Sequence, residues 1–354
     1  MNTGIHKPLL PGLMVPHHCA AETRWDAMPK EGRDTPIDRF FVRNHTSTPE
    51  VDAATWRLKL FGSGLRGQPT ADRPVEFGYQ DLLSMPSVTQ RILIECTGNG
   101  RVFFGMQQHE PKPGTPWGLG AVGVATWTGV RLGALLDWAG LNSDAVDVMP
   151  RGLDPEYVEH GVNHGRVRRP LPIWKAMDDV LVAYQMNGEP LPPDHGYPVR
   201  LVVPNWVGIA SIKWLDDIEI SNTPLSSPWT TVFYQLDGAP LTTLVPKSAF
   251  ELPWDAELDR RRTHAVYGRS WAGEAPIQRV EVSTDGGRRW QSVPLVEDGP
   301  WVRWRLGWRP QTPGRRTLMA RATDRSGNCQ PARTVANPMG YLFGAVVRHR
   351  VVVV

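Results

Sequence analysis

The sequence predicts an α+β protein in two parts, a mixed α/β first part followed by an all-β, immunoglobulin-like sandwich. Three observations carry this expectation. Short strand-like runs recur between turn signals along most of the chain. One segment near residue 135 has helical spacing of its apolar residues. Around residues 221–240 the composition shifts to Ser, Thr and Pro, and beyond it the regular runs are all strand-like. A length of 354 residues suits about two domains, and 34 Gly with 33 Pro suit a turn-rich chain better than a helical bundle.

The elements follow in order. Residues 1–35 are polar and Pro-broken and are expected to form an irregular arm. Residues 36–225 form the first domain, 226–240 a connector, and 241–354 the second domain. Residues 56–61 (WRLKLF) alternate as a half-buried strand, ended by Gly62, Ser63 and Gly64. Residues 88–96 (VTQRILIEC) are a β-rich run stopped by Thr97, Gly98, Asn99 and Gly100, a stretch that also fits an ordinary hairpin. Leu132, Leu135, Leu136 and Ala139 fall at i, i+3, i+4 and i+7, and Gly140 stands where a helix cap belongs. Residues 178–186 and 199–203 are two further strands, separated by the turn stretch 187–196. No Gly-rich dinucleotide fingerprint and no alternating βαβ series is present. In the second domain, residues 264–271 form a strand. Residues 278–283 turn at Asp285–Gly286 and continue through 290–295, and Leu318, Ala320 and Ala322 alternate before a turn at 324–328.

Composition limits the function classes. A net charge of +3 gives no reason to expect nucleic-acid or membrane binding. Basic residues do cluster at Arg166, Arg168 and Arg169 and at Arg260, Arg261 and Arg262, as a solvated surface or an attraction for an anion. Three separated cysteines with no CxxC disfavour zinc ribbons, c-type haem attachment and a disulfide framework, so reduced thiols are expected. The N-terminal stretch lacks an uninterrupted apolar core and a twin-arginine pair, and no run approaches the ~18 apolar residues of a membrane span. A cytoplasmic location is therefore the expectation. Fifteen tryptophans suit either a core or the walls of a pocket for a flat cofactor.

Several side chains could carry chemistry. Cys96 ends an apolar strand at a tight Gly/Asn turn. It is either a packed core thiol or a soft thiolate donor to a transition metal whose other ligands come from a cofactor. Arg43, Asn44 and His45, directly after two aromatics, include a guanidinium fork suited to an oxyanion, though a surface ion pair is the alternative. His195, Arg200 and Lys213 supply donors for phosphate or pterin groups, and Arg200 opens an apolar strand, where a charge is costly unless paired. His160 and His164 have helical spacing, but Gly161 and Gly165 disfavour the helix and a metal site there. The HHC at residues 17–19 is read as a feature of the arm.

Taken together and in order, FFVRNH (40–45), ECTGNGR (95–101), WTGVRLGALLDWAG (127–140), MNGEPLPPDHGYPVRLVVP (186–204) and IKWL (212–215) resemble the molybdopterin domain of sulfite oxidases and assimilatory nitrate reductases. VEVSTDGGRRW (280–290) and WRLGW (304–308) resemble the C-terminal dimerisation domain of that family. The resemblance implies a sulfite-oxidase-type fold, a molybdenum cofactor built on molybdopterin, and a homodimer. It implies that Cys96 is the thiolate ligand of molybdenum. Phe41, Val42, Arg43, Asn44 and His45, with Asp154, would cradle the pterin; His195, Arg200, Ser211, Ile212 and Lys213 would hold its phosphate and edge. Tyr234, five residues after Trp229, matches the family's active-site tyrosine; Arg101 and Arg305 resemble its substrate-anion arginines, and Trp117 its pocket tryptophan. Two departures stand out. Gly100 replaces an arginine of the family's CAGNRR pattern, and Ala210 stands where sulfite oxidases often have another arginine. Both remove positive charge and admit a substrate other than sulfite.

The implied reaction is oxygen-atom transfer to a small oxyanion such as sulfite, with Arg43, Arg101 and Arg305 binding the anion and Tyr234 beside the metal. With no haem motif in the sequence, an external cytochrome or dioxygen is the expected electron acceptor. Reduction of nitrate or a sulfoxide on the same cofactor is an alternative, as is a non-enzymatic β-rich binding protein, against which Cys96, Tyr234 and the three arginines argue.

Overall fold

In the computed structural model, residues 4–29, 32–296 and 299–354 are described; parts of the expected arm, residues 1–3, 30 and 31, lie outside them. The first part is built on two sheets. One runs in the order Leu171–Pro172, Asp147–Gly152, Leu215–Ser221, Arg57–Phe61, Val75–Gly78, with Leu215–Ser221 parallel to Arg57–Phe61. The other runs Glu189–Pro190, Leu181–Met186, Val122–Arg131, Val88–Glu95, and Arg200–Val202 also pairs with Leu181–Met186.

The helix with the expected spacing spans Leu132–Trp138. Leu132, Leu135, Leu136 and Ala139 are all buried, and Gly140 takes φ +86°, the left-handed conformation that ends a helix without a Cβ penalty. The stretch 178–186 begins as strand only at Leu181, because Asp178 still closes the Ile173–Asp178 helix.

The arm is more ordered than its composition suggests. Met14–His17 and Ala20–Thr23 form a hairpin whose second strand pairs with Val42–Arg43. Its prolines fall where they cost little: Pro16 sits on the outer strand of this three-stranded sheet.

Beyond residue 241 the chain is all-β. One sheet is Lys247–Phe250, His264–Trp271, Trp301–Trp308; the other is Ala256–Leu258, Arg348–Val353, Gly314–Asp324, Ile277–Ser283, Gln291–Val293. Alternate residues of both, including Val266, Trp304 and Leu306 from the first and Val280, Val282, Leu318, Ala320 and Ala322 from the second, share one core. A second core joins the two parts: Trp271 and Trp301 of the sandwich and Tyr341, Phe343, Ala345 and Val347 of the segment before the last strand are buried with the first domain's apolar residues.

His349 in the last strand is buried, stacked on Trp254 with ring centroids 4.4 Å apart, and its Nε2 lies 3.1 Å from the Pro253 carbonyl oxygen. Burial pushes its pKa down to about 4. The unfolded chain takes up a proton near pH 6.5 that the folded chain refuses, so stability is full above that pH and is lost as pH falls toward 4. Between pH 7 and pH 4.5 the loss is about 2 kcal/mol. A His349→Gln variant is expected to flatten this part of the curve when urea midpoints are compared at the two pH values; parallel curves would refute the assignment.

Candidate active site

The Val88–Glu95 strand delivers Cys96 to the end of a buried sheet, and backbone bonds hold the turn that follows. The Cys96 amide donates to the Ala121 carbonyl (2.9 Å), the Asn99 amide to the Cys96 carbonyl (2.9 Å), and the Gly100 amide to the Gly118 carbonyl (2.7 Å). The turn is not a hairpin: the chain runs directly into the Val102–Gln108 helix, which the sequence did not announce. Gly100 has φ +90°, and a Cβ there would lie 3.2 Å from Phe343, so an arginine in this place would strain the backbone and press on that ring. Behind Cys96 the Glu95 carboxylate accepts from Lys247 Nζ (2.6 Å), Asn99 Nδ2 (2.8 Å) and Trp271 Nε1 (2.9 Å). Lys247 and Trp271 belong to the sandwich, so the second domain anchors the cysteine turn.

The facing wall comes from residues 40–45. Asn44 donates from Nδ2 to Thr48 Oγ1 (3.0 Å), whose hydroxyl donates to Asp194 Oδ1 (2.6 Å). The Asp194 carboxylate also accepts from the His6 and Lys7 amides (3.0 and 2.7 Å), and Lys7 Nζ reaches the carbonyls of Ile37 and Phe40. The arm thus clamps both edges of this wall. Lys213 Nζ donates to the Asp194 carbonyl (2.8 Å) and to Asn44 Oδ1. Tyr234, in the left-handed region at φ +52°, shares a 2.9 Å hydrogen bond between its hydroxyl and His45 Nε2.

These walls enclose a recess of about 740 Å³, open mouth included. Cys96, Tyr234, Arg43 and His45 line it together with His195, Arg200, Ser211 and Lys213. The polar groups of this second set carry unbalanced charge. Arg200 is buried and donates to three carbonyls, of Leu201 (3.2 Å), His195 (2.9 Å) and Ser211 (3.0 Å), none of which neutralises it. Burial alone pushes its pKa down to about 9, and burial with the Arg200 charge pushes that of Lys213 well below the usual value. Burial, helped by Lys7, Lys213 and Arg200, does the same to His195, and among the described residues its buried Nε2 has no hydrogen-bond partner. Such a cluster is costly until an anion enters it. A phosphate fits those donors, a flat ring system fits between the walls, and a metal fits the Cys96 thiol. The residues present suit a molybdopterin cofactor. Among the described residues no cluster of three or more His, Cys, Asp or Glu could hold a metal by itself, so a metal here depends on ligands the cofactor brings.

Most expected cofactor residues converge on this recess: Cys96, Phe41, Arg43, Asn44, His45, Asp154, His195, Arg200, Ser211, Ile212, Lys213 and Tyr234. Val42 does not line it, because alternation along its strand turns it into the core, where it pairs with Ala21. Burial raises the Asp154 pKa to about 6 although the Val167 amide donates to its carboxylate.

Three expected substrate residues fall outside the recess lining. Arg101 lies near the site but outside the recess lining; its guanidinium is taken by the carbonyls of Met339 (2.9 Å) and Thr115 (2.7 Å), the acceptors nearest a buried cation. Trp117 is fully buried one layer back, edge-on to His17 and Phe41. Arg305 is exposed on the Trp301–Trp308 strand beside Tyr267, because its neighbours Trp304 and Leu306 take the inward positions. His160 and His164 flank the Val162–Asn163 strand of a small hairpin and hold no cluster. Sequence reasoning missed Asp194, Thr97 and Gly208 in the lining. Gly208 has a signal only in three dimensions: a Cβ there would lie 2.7 Å from the Glu95 carbonyl oxygen.

A thiol facing a buried cationic cradle across one recess defines a molybdopterin-binding oxidoreductase, and residues 45–229 match the family model of the oxidoreductase molybdopterin binding domain. Residues 244–354 match that of the Mo-co oxidoreductase dimerisation domain. The chain is 33% identical over 350 residues to mouse mitochondrial sulfite oxidase, covering 91% of this chain and 61% of that protein. It is 31% identical to chicken sulfite oxidase, covering 84% of this chain and 68% of the relative, and 31% identical to an NADH nitrate reductase of Ulva prolifera, covering 86% and 38%. The crystal structure of the sulfane dehydrogenase SoxCD from Paracoccus pantotrophus superposes with a TM-score of 0.76 at 26% identity, covering 98% of this chain and 90% of the other. The chain belongs to the sulfite oxidase family of molybdenum-cofactor oxidoreductases. It spans about 61% of the length of the mammalian sulfite oxidases it matches. Among the described residues no helix is long and apolar enough to cross a membrane, and the three cysteines are unpaired.

Proposed function

We propose that this chain oxidises sulfite or a related small sulfur compound by oxygen-atom transfer and passes the electrons to an external cytochrome or dioxygen. The observation that carries the reading is the convergence of Cys96, Arg43, His45 and Tyr234 on one recess with the buried cationic cradle of His195, Arg200 and Lys213. When bound, the cofactor supplies the two-electron couple and the oxygen-transfer chemistry. Cys96 holds the metal as a sulfur donor; His195, Arg200, Ser211 and Lys213 hold the phosphate and pterin edge. Arg43 offsets the charge of the substrate anion. Burial raises the pKa of Tyr234, so its hydroxyl stays protonated, while burial and the charges of Arg43 and Lys213 keep His45 neutral at pH 7. In its Nε2–H tautomer His45 donates to the Tyr234 oxygen, which leaves the hydroxyl proton to point at a bound oxyanion.

One observation favours a substrate of lower charge than the sulfite dianion. Gly100 and Ala210 stand where the family often carries arginine, and they add no positive charge. The sandwich, read as immunoglobulin-like, is proposed to pair two copies into a homodimer, and the protein to work in the cytoplasm. Metal analysis of the purified protein is expected to give about one molybdenum per chain. Sulfite with ferricyanide is expected to turn over, and nitrate with reduced viologen is not; the reverse pattern would assign the alternative reductase activity, and absence of molybdenum would end both.

A further inference from the structure

The segment between the Gly314–Asp324 and Arg348–Val353 strands leaves the sandwich and packs against the cysteine turn. The Leu342 amide donates to the Thr97 carbonyl (2.8 Å), and Arg101 Nε donates to the Met339 carbonyl (2.9 Å). Asn337 closes the tip: its Nδ2 donates to the Tyr341 carbonyl and its Oδ1 accepts from the Tyr341 amide, both at 2.8 Å. Tyr341 is therefore fixed at its backbone, and the residue is 4% exposed.

That ring lies flat on Tyr234, with centroids 5.2 Å apart and planes 18° from parallel. Its hydroxyl accepts from the Tyr234 amide at 3.4 Å. Tyr234 needs such support. Its backbone is in the left-handed region, disfavoured for a bulky residue, and among the described residues its hydroxyl is hydrogen-bonded to His45 alone. The Arg101 guanidinium also lies over the Tyr341 ring, 5.8 Å from its centroid.

We propose that Tyr341, delivered by the second domain, is the positioning residue of Tyr234: it sets the plane of that ring by stacking and holds its strained backbone through the hydroxyl. The inference rests on the oxidase reading only for its kinetic test. Tyr341 lies outside the lining of the recess, so it acts through Tyr234 and not on the cofactor. The sandwich thereby completes the site in addition to its part in dimerisation.

The test is a double-mutant cycle in the full-length, cofactor-loaded protein with Tyr341→Leu and Tyr234→Phe. Tyr341→Leu is expected to lower kcat about 10-fold with little change in molybdenum content, the size of a lost aromatic stack plus a lost hydrogen bond. In the Tyr234→Phe background the same change is expected to have a much smaller effect, because the hydroxyl whose placement it disturbs is gone. Tyr341→Phe, which keeps the stack but loses the hydroxyl contact to the Tyr234 amide, should restore only part of the rate. Additive effects, as a merely structural role gives, would overturn the proposal. A second readout needs no turnover: 3-fluorotyrosine placed at 234 is expected to show a fluorine resonance that shifts and broadens strongly in Tyr341→Leu and less in Tyr341→Phe. An unchanged resonance would sink the positioning role even if the protein oxidised sulfite, and a shifted one would support it even if sulfite were the wrong substrate.

Discussion

Cys96→Ser is expected to cut turnover by at least about 10³-fold, a rise of roughly 4 kcal/mol in barrier, while the protein folds and keeps its pterin. The two side chains are nearly the same size, and the turn around Cys96 is held by backbone amides that the substitution leaves alone. The difference is chemical. A thiol ionises readily near a metal and gives a soft, polarisable donor, whereas a serine hydroxyl remains protonated and hard. The cradle of His195, Arg200 and Lys213 makes its hydrogen bonds without Cys96 and stays intact. Sulfite-dependent ferricyanide reduction, molybdenum content and released pterin measured on the same preparation separate loss of chemistry from loss of cofactor. Activity equal to that of the parent would remove Cys96 from the metal.

Lys247→Ala is expected to destabilise the protein by about 3–5 kcal/mol, the range for removing one partner of a buried ion pair. Lys247 and Glu95 are 7% and 1% exposed at their side chains and 2.6 Å apart, and Lys247 also donates to the Asn99 carbonyl (2.9 Å). Without the ammonium, the Glu95 carboxylate keeps only Asn99 and Trp271 as donors in a water-poor site. A lower denaturant midpoint and lower molybdenum content are expected together, because the strain falls on the residue next to Cys96. The double variant Lys247→Met, Glu95→Gln should recover much of the stability, since no bare charge remains. Equal stability of Lys247→Ala and the parent would show that water reaches the carboxylate.

Local signals carried the elements whose pattern stands in consecutive residues. The Leu132–Trp138 helix follows from its apolar spacing, and the sandwich strands from alternation. The Val102–Gln108 helix escaped because Gly105 and two adjacent phenylalanines blur its period; Phe103 and Phe104 are both buried between the domains. The ordered motifs of the family resemblance, rather than any residue type alone, marked Cys96, Arg43, Asn44, His45, His195, Arg200 and Lys213. Arg101 and Arg305 fall outside the recess lining for a reason no motif carries. An arginine's type gives no hint whether carbonyls, an aromatic ring or a ligand will take its guanidinium, and that depends on residues such as Met339, 238 positions away. Tyr341 had no signal, since its partner Tyr234 is 107 positions earlier.

The clasp on Asp194 has a consequence for the order of assembly. Its two amides, at residues 6 and 7, are synthesised well before the carboxylate they grip, which follows 188 and 187 positions later. These two residues therefore have no catch to close on until most of the cofactor-binding part has left the ribosome, a long-range closure of the kind that slows folding.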